Sequence, residues 1–280
     1  MVAGQQNKIV VIIQTRMKST RLPGKILMPM PITGEDSILE CIINQLKESQ
    51  FEVDIFIATS VNPENDELEI IAKKNSVKIF RGSENDVLSR FINILESKDY
   101  DTAVRVTADN PILDYKILDN AIEEHLSSKT DYSITKGLPL GMNFELFKSR
   151  SLLKLKKLKL TTQDKEHVTL KLRQDNSFKI NEIKFVCFEN ESLRLTVDYP
   201  EDYLVISTIY QIALHHKLNV GLDLIKFIEK EYPWLLKINA KKTQKKVYND
   251  LDEELKDVIP ILSDLNFKKT ASLLKKGNLK

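Results

Sequence analysis

The sequence predicts an α/β protein with a mostly parallel sheet flanked by helices. Two observations carry this. Short runs of apolar, β-branched residues alternate with longer stretches of helical apolar spacing, the pattern of βαβ units. The chain of 280 residues is also long enough to bury a substantial core in one large domain, with or without an appendage.

The elements follow in order. Lys8–Gln14 is the first strand, and a polar loop runs from it to about Pro31. Ser37 is placed to cap a helix whose apolar residues Ile38, Leu39, Ile42, Ile43 and Leu46 share a face. Strands are expected at Asp54–Thr59, Val77–Phe80 and Ala103–Thr107, with helices near Asn65–Lys74 and Glu84–Ser97. Asp109 falls just past the carboxyl end of the strand at Ala103–Thr107. The middle is less regular: a turn at Leu138–Gly141, a strand at Asn143–Phe147 and a helix over Asp164–Arg173. Extended runs at Ile183–Phe188 and Leu193–Val197 precede Asp198, and helices are expected over Glu201–His215 and Leu222–Lys230. Lysines cluster from Lys241 onward, so the chain is expected to divide into residues 1–238, the α/β domain, and 239–280, a lysine-rich helical extension.

Composition excludes several classes of function. The sequence is 42% hydrophobic and 29% charged with a formal net charge of +2, which gives no general attraction to nucleic acid. Aromatic residues are not interleaved with the basic tail, so single-strand stacking is not expected either. The run Ile9–Ile13 is too short for a signal peptide or membrane span. Cys41 and Cys187 both lie in apolar runs and are expected to be buried thiols. A cytoplasmic protein with no membrane partner is expected.

The chemistry-bearing residues concentrate after strands. Gln14–Lys25 packs Arg16, Lys18, Arg21 and Lys25 with three hydroxyls into one loop. In open α/β sheets, ligands bind outside the carboxyl ends of strands. Guanidinium forks and an ammonium there suit a polyphosphate, although a solvated basic loop has the same composition. The glycine spacings of a P-loop and of a dinucleotide fingerprint are absent. Asp109 and Asp198 each end an apolar run beside a proline. Brought together they would suit Mg²⁺, which takes oxygen ligands and bridges phosphates; separately, each would simply cap a turn. His215 and His216 lack the spacing of a zinc site.

Several blocks resemble one family. They are Ile12–Lys25, Ile57–Pro63, Phe80–Arg90, Arg105–Pro111, Lys165–Thr169 and Val197–Asp202, in this order. Together they resemble the spore-coat-polysaccharide-type cytidylyltransferases, relatives of the CMP-ketodeoxyoctonate and acylneuraminate cytidylyltransferases. The match spans about residues 8–232 and leaves the tail outside. It implies a nucleotide-diphosphosugar-transferase-like, Rossmann-like fold, a homodimer, and Mg²⁺-dependent transfer of CMP from CTP to a sugar, sugar acid or sugar phosphate.

On this resemblance Arg16, Lys25, Asp109 and Asp198 are the catalytic set. The nucleotide is contacted by Arg16, Ser19, Arg21, Lys25, Thr59, Arg81, Gly82, Ser83 and Asp109. Metal is held by Asp109 and Asp198. The acceptor is met by Arg105, Asn143, Glu145, Glu166 and His167, the last as base or hydrogen-bond donor. Some positions depart from the family pattern. Thr15 and Lys18 stand where Ala and Gly are common, Ala108 and Asn110 replace Gly and Cys or Glu, and Asn143 replaces an Asp. Two other functions stay open: a glycosyltransferase consuming a nucleotide-sugar, and a non-catalytic nucleotide-binding subunit. The Asp-x-Asp motif of the first is missing at strand ends, and turnover of CTP separates the second.

Overall fold

The computed structural model describes residues 7–19, 21–186, 193–242 and 251–275. The chain divides into two compact units, Met1–Lys241 and Lys242–Lys280.

The first unit is a seven-stranded sheet. Its strands are β1 (Ile9–Gln14), β2 (Val53–Ser60), β3 (Lys78–Gly82), β4 (Thr102–Thr107), β5 (Tyr132–Lys136), β6 (Glu145–Lys148) and β7 (Ile180–Lys184). The spatial order is β3-β2-β1-β4-β6-β5-β7. Strands β1 to β4 run parallel, β6 runs antiparallel to both of its neighbours, and β7 is parallel to β5. The expected mostly parallel sheet is present.

Alternation along β1 serves two cores. Ile9, Val11 and Ile13 face one helical layer, while Val10 and Ile12 face the other. The first layer holds α1 (Ile38–Lys47), α2 (Glu67–Lys74), α4 (Tyr115–Ser128), α8 (Pro200–His216) and α9 (Leu222–Glu231). The second holds α3 (Val87–Ser97), α5 (Ser149–Lys154) and α7 (Leu170–Gln174), and the short α6 (Thr162–His167) precedes α7 in the chain.

Helix α1 shows why these segments are helical. Ser37 and Glu40 form a reciprocal capping box, and Ile38, Leu39, Ile42, Ile43 and Leu46 are all buried. Burial of each of these side chains contributes about 1.5–3 kcal/mol. Cys41 on the same helix is buried too, and burial pushes its thiol up to about 12, so it is an unreactive core residue. Cys187 lies outside the described residues.

Several segments differ from the sequence reading, among them the run expected at Ile183–Phe188, which begins as β7 at Ile180 and whose Phe188 lies outside the described residues. The helix expected over Asp164–Arg173 is broken at Val168, whose φ of 53° is strained for a β-branched residue. There His167 O accepts from Thr169 N, which closes a γ-turn of the rarer positive-φ hand. Leu193–Val197 belongs to no named strand; it bridges to Leu140 at Arg194 and bonds to the Asp109 carbonyl through Val197 N. Glycine is required at the facing turn: Gly141 has φ 105°, and a Cβ there would lie 2.7 Å from the Leu195 backbone. In the irregular middle, α4 and β5 are both formed and packed.

His125 locks α4 to the sheet. It is 1% exposed, and Nδ1 meets Ser133 Oγ on β5 at 2.7 Å. Burial, with Lys148 adding repulsion, lowers its pKa from 6.5 to about 4. The fold therefore keeps this imidazole neutral, and the associated stability is complete above pH 6.5. It is lost as pH falls toward 4, by about 3 kcal/mol in all. Urea midpoints across this range are expected to fall more steeply for the wild-type chain than for His125→Gln.

The second unit contains α10 (Leu251–Asp264) and α11 (Lys268–Lys275). No α10 residue is buried, and Ala271 is the buried residue of α11. No helix among the described residues is long and apolar enough to cross a membrane.

Candidate active site

The carboxyl ends of β1, β2, β3 and β4 lie at one edge of the sheet, and the polar residues of the sequence motifs collect there. The loop after β1 turns back through Gly24, whose φ of 68° is left-handed, into a 3-10 turn starting at Lys25. This buries Lys25 to 8% exposure and brings its ammonium onto three oxygens. Nζ donates to Val197 O at 2.6 Å, Asp198 Oδ1 at 3.0 Å and Asp109 Oδ2 at 3.2 Å. An ammonium has three protons, so its donors are fully used. The structure thus gathers Asp109 and Asp198, distant in sequence, around a single cation. Asp109 is anchored by its backbone: its carbonyl accepts from Val197 N and Thr196 Oγ1.

Asp198 is also held by arginines. Arg21 Nη2 lies 3.1 Å from Oδ1, and Arg194 Nη2 lies 3.0 Å from Oδ2. Arg194 in turn forks onto Asp202, with both contacts at 2.9 Å. Tyr199 lies beneath the Arg21 guanidinium, whose carbon is 4.7 Å from the ring centroid. Burial by itself raises the Asp198 pKa, but Lys25, Arg21 and Arg194 outweigh burial and hold it below the usual carboxylate range. Asp202 is lowered in the same sense against its own burial, by Arg194, Asn239 and backbone amides. Both carboxylates therefore favour the fold above the ordinary carboxylate pKa and lose that contribution in acid. The formal charges of Arg21, Lys25 and Arg194 cancel those of Asp109, Asp198 and Asp202.

The residues expected around the nucleoside are placed less uniformly. Arg16 is mostly exposed and 3.5 Å from Glu84. Ser19 Oγ accepts weakly from Leu22 N at 3.4 Å. Thr59 is fully buried in β2, with no partner for Oγ1 among the described residues. Arg81 is occupied: it pairs with Asp66 and Glu69 and donates to the carbonyls of Ser60 and Asn62. It clamps the start of α2 to β2 in this structure. Gly82 ends β3 against Arg90, and a Cβ there would lie 2.9 Å from the arginine side chain. Ser83 accepts from Asp86 N in the turn before α3. Arg90 is 2% exposed and donates to Ala58 O, and its burial lowers its pKa. A cation on the apolar face Val87, Leu88, Phe91 and Ile94 is the sequence signal for it.

A second cluster forms on β4 and β6. Arg105 Nη1 meets Glu145 Oε2 at 2.8 Å, and Arg105 Nε donates to Gln14 Oε1 at 3.0 Å. Thr169 Oγ1 donates to the same Glu145 oxygen at 2.9 Å, and Arg173 Nη1 is 3.9 Å from Oε1. Burial raises the Glu145 pKa and the two arginines more than reverse this, so Glu145 is an orienting carboxylate for Arg105. The γ-turn at Val168 is what delivers Thr169 to it. Asn143 Nδ2 donates to Pro139 O within its own turn. Glu166 is exposed and His167 half-buried at the end of α6. Gln14, Thr169, Arg173 and Arg194 belong to the site by geometry but were not singled out from the sequence.

No three His, Cys, Asp or Glu side chains cluster as a metal site among the described residues. The oxygens shared by Lys25, two carboxylates and a carbonyl, nevertheless fit a hard divalent cation. Mg²⁺ needs only one or two carboxylates when phosphates complete its shell. On donor chemistry, Asp109 and Asp198 would hold it.

Comparison with known proteins places this geometry. Residues 10–249 match the family described as cytidylyltransferase. The spore coat polysaccharide biosynthesis protein SpsF of Bacillus subtilis (strain 168) is 36% identical over 216 residues, covering 74% of this chain and 88% of that protein. An uncharacterized protein of Methanocaldococcus jannaschii is 33% identical over 250 residues, covering 88% of this chain and 100% of its own length. Among solved structures, a cytidylyltransferase from Leptospira borgpetersenii serovar Hardjo-bovis superposes with a TM-score of 0.74 at 31% identity, covering 86% of this chain and 100% of that one. A CMP:2-keto-3-deoxy-manno-octonic acid synthetase complexed with CTP shares the fold, with a TM-score of 0.56 at 12% identity over 75% of this chain and 100% of that one. With the motif blocks assembled at one sheet edge and the family matched over most of its length, this chain belongs to the cytidylyltransferase family and is a nucleotidyltransferase.

Proposed function

We propose that this protein transfers CMP from CTP to a sugar, sugar acid or sugar phosphate, releases pyrophosphate, and uses Mg²⁺. The observation that carries the reading is the convergence of Arg21 and Lys25 with Asp109 and Asp198 at the sheet's carboxyl edge. SpsF, a relative, is a spore coat polysaccharide biosynthesis protein, which supports a product destined for surface polysaccharide or glycoconjugate. A cytoplasmic homodimer is part of this proposal, on the resemblance of the motif blocks to the family.

In the proposed reaction, Lys25 and Arg21 exchange carboxylate partners for triphosphate oxygens, and Arg16 and Ser19 join from the exposed side of the loop. Thr59, Arg81, Gly82 and Ser83 border the nucleoside. Asp109 and Asp198, freed of the ammonium, would hold a divalent ion, whose chemistry when bound would be to supply positive charge beside the α-phosphate and leaving group. An acceptor oxygen attacks the α-phosphorus in line as the bond to pyrophosphate breaks, and the cations of the loop stabilise the charge that develops. Arg105, oriented by Glu145 and Gln14, grips the acceptor. Asn143, Glu166 and His167 line the approach, and where the attacking group is a hydroxyl a His167 ring nitrogen takes its proton.

With Mg²⁺ present, CTP at about a hundred times its dissociation constant should add roughly 2.7 kcal/mol of stability. Thermal melts with each of the four triphosphates are expected to show the largest shift with CTP. An equal or larger shift with ATP, GTP or UTP would remove the cytidine assignment.

A further inference from the structure

Asp198 turns its two oxygens to different tasks. Oδ1 faces the cations of the loop, Lys25 at 3.0 Å and Arg21 at 3.1 Å. Oδ2 faces Arg194 at 3.0 Å. Behind that contact lies a chain of buried polar groups. Arg194 is 3% exposed and Asp202 is fully buried in the first turn of α8. Asp202 Oδ2 also accepts from the backbone amides of Asp198 at 2.9 Å and Tyr199 at 3.0 Å. Asn239, itself fully buried, donates from Nδ2 to Asp202 Oδ1 at 2.8 Å and to Arg194 O at 3.1 Å. The end of the first compact unit is thereby linked through Asn239, Asp202 and Arg194 to Asp198.

The physical consequence concerns the carboxylate's rotation. Left to the loop cations alone, Asp198 would turn both oxygens toward Lys25 and Arg21. A guanidinium held in a bidentate fork cannot follow it, because its geometry is fixed by Asp202. Arg194 therefore keeps Oδ2 out of the site and leaves a single oxygen, Oδ1, facing it. Asn239 fixes the other end of the fork.

We infer that Arg194 and Asn239 are positioning residues, which hold Asp198 with one oxygen presented to the nucleotide site. The inference rests on the proposed role of Asp198. Neither residue needs to touch substrate. Removal of an outer partner of this kind costs about 10–100-fold in metal affinity or activity.

The test compares Asn239→Ala, Arg194→Lys and Asp198→Asn with Ser133→Ala, which removes a buried hydrogen bond to His125 away from the site. Each protein is measured for melting temperature, CTP affinity by calorimetry without acceptor, kcat, KM for CTP, and the Mg²⁺ concentration giving half-maximal turnover. Asn239→Ala and Arg194→Lys are expected to lower kcat or raise the Mg²⁺ requirement about 10-fold or more. Ser133→Ala is expected to lower the melting temperature only. Should Arg194→Lys fail to fold, Asn239→Ala carries the test. Wild-type kcat, CTP affinity and Mg²⁺ dependence in folded Asn239→Ala, beside a crippled Asp198→Asn, would overturn the inference and leave the proposed function standing. Normal turnover in Asp198→Asn would overturn both.

Discussion

Asp109→Asn and Asp198→Asn are each expected to lower turnover by roughly 10²–10³-fold, equivalent to about 3–4 kcal/mol of lost transition-state stabilisation. Asn keeps the side-chain size and removes the charge that a hard cation prefers. The two variants should differ in stability. Asp109 keeps its backbone carbonyl bonds, and its partly exposed side chain meets only Lys25, at 3.2 Å, so its melting curve should move less than that of Asp198→Asn. Asp198 neutralises Lys25, Arg21 and Arg194, so Asp198→Asn should melt lower. A purely turn-forming role predicts near-normal turnover in both, since Asn caps turns about as well as Asp. Steady-state kinetics over a Mg²⁺ titration, with a melt of each variant, separates the two accounts.

Lys25→Met is expected to damage stability and activity together. It strands Val197 O and leaves the Asp109 and Asp198 carboxylates without their shared ammonium. Breaking a buried pair from one side costs about 3–5 kcal/mol, and the partial exposure of Asp109 puts this case toward the lower figure. Turnover should fall by about 10²-fold or more, because the cation assigned to the triphosphate is gone. The variant should also respond differently to metal. In the wild-type chain the ammonium already holds the oxygens, so Mg²⁺ without nucleotide should stabilise little. In Lys25→Met the same oxygens are released, and Mg²⁺ alone should recover part of the lost melting temperature. Equal Mg²⁺ responses in the two proteins would contradict the shared-oxygen site.

Much of the fold was legible because its elements are locally consistent. The spacing of Ile38 to Leu46 after Ser37 specifies a capped amphipathic helix without reference to the rest of the chain. The strand ends locate the site for a similar reason, since Asp109 follows an apolar run whose length fixes where it stops. What stayed hidden depends on distant partners. Helix α4 buries Ile117, Leu118, Ala121 and Ile122 together with His125, and a histidine on that face blurs the apolar period until Ser133 is known to meet it. The break at Val168 contradicts local propensity outright, and the contact of Thr169 with Glu145 is seen only once β6 is in place. Arg194 and Asp202 are close in sequence, but the Asn239 that bonds to both lies far along the chain. Arg81 was placed at the nucleoside by the resemblance, and its ion pairs with Asp66 and Glu69 appear only once β3 and α2 are packed. Of the other two functions left open by sequence, the non-catalytic subunit gives way to membership of an enzyme family matched over residues 10–249.

The central claim is chemical, and pyrophosphate release tests it most directly. Purified full-length protein with Mg²⁺ would be given each of the four triphosphates against a panel of sugar acids and sugar phosphates. The account predicts acceptor-dependent pyrophosphate from CTP, with a matching CMP-linked product by mass, and far slower release from ATP, GTP and UTP. Release from another triphosphate at an equal or greater rate, or a product lacking CMP, would contradict it.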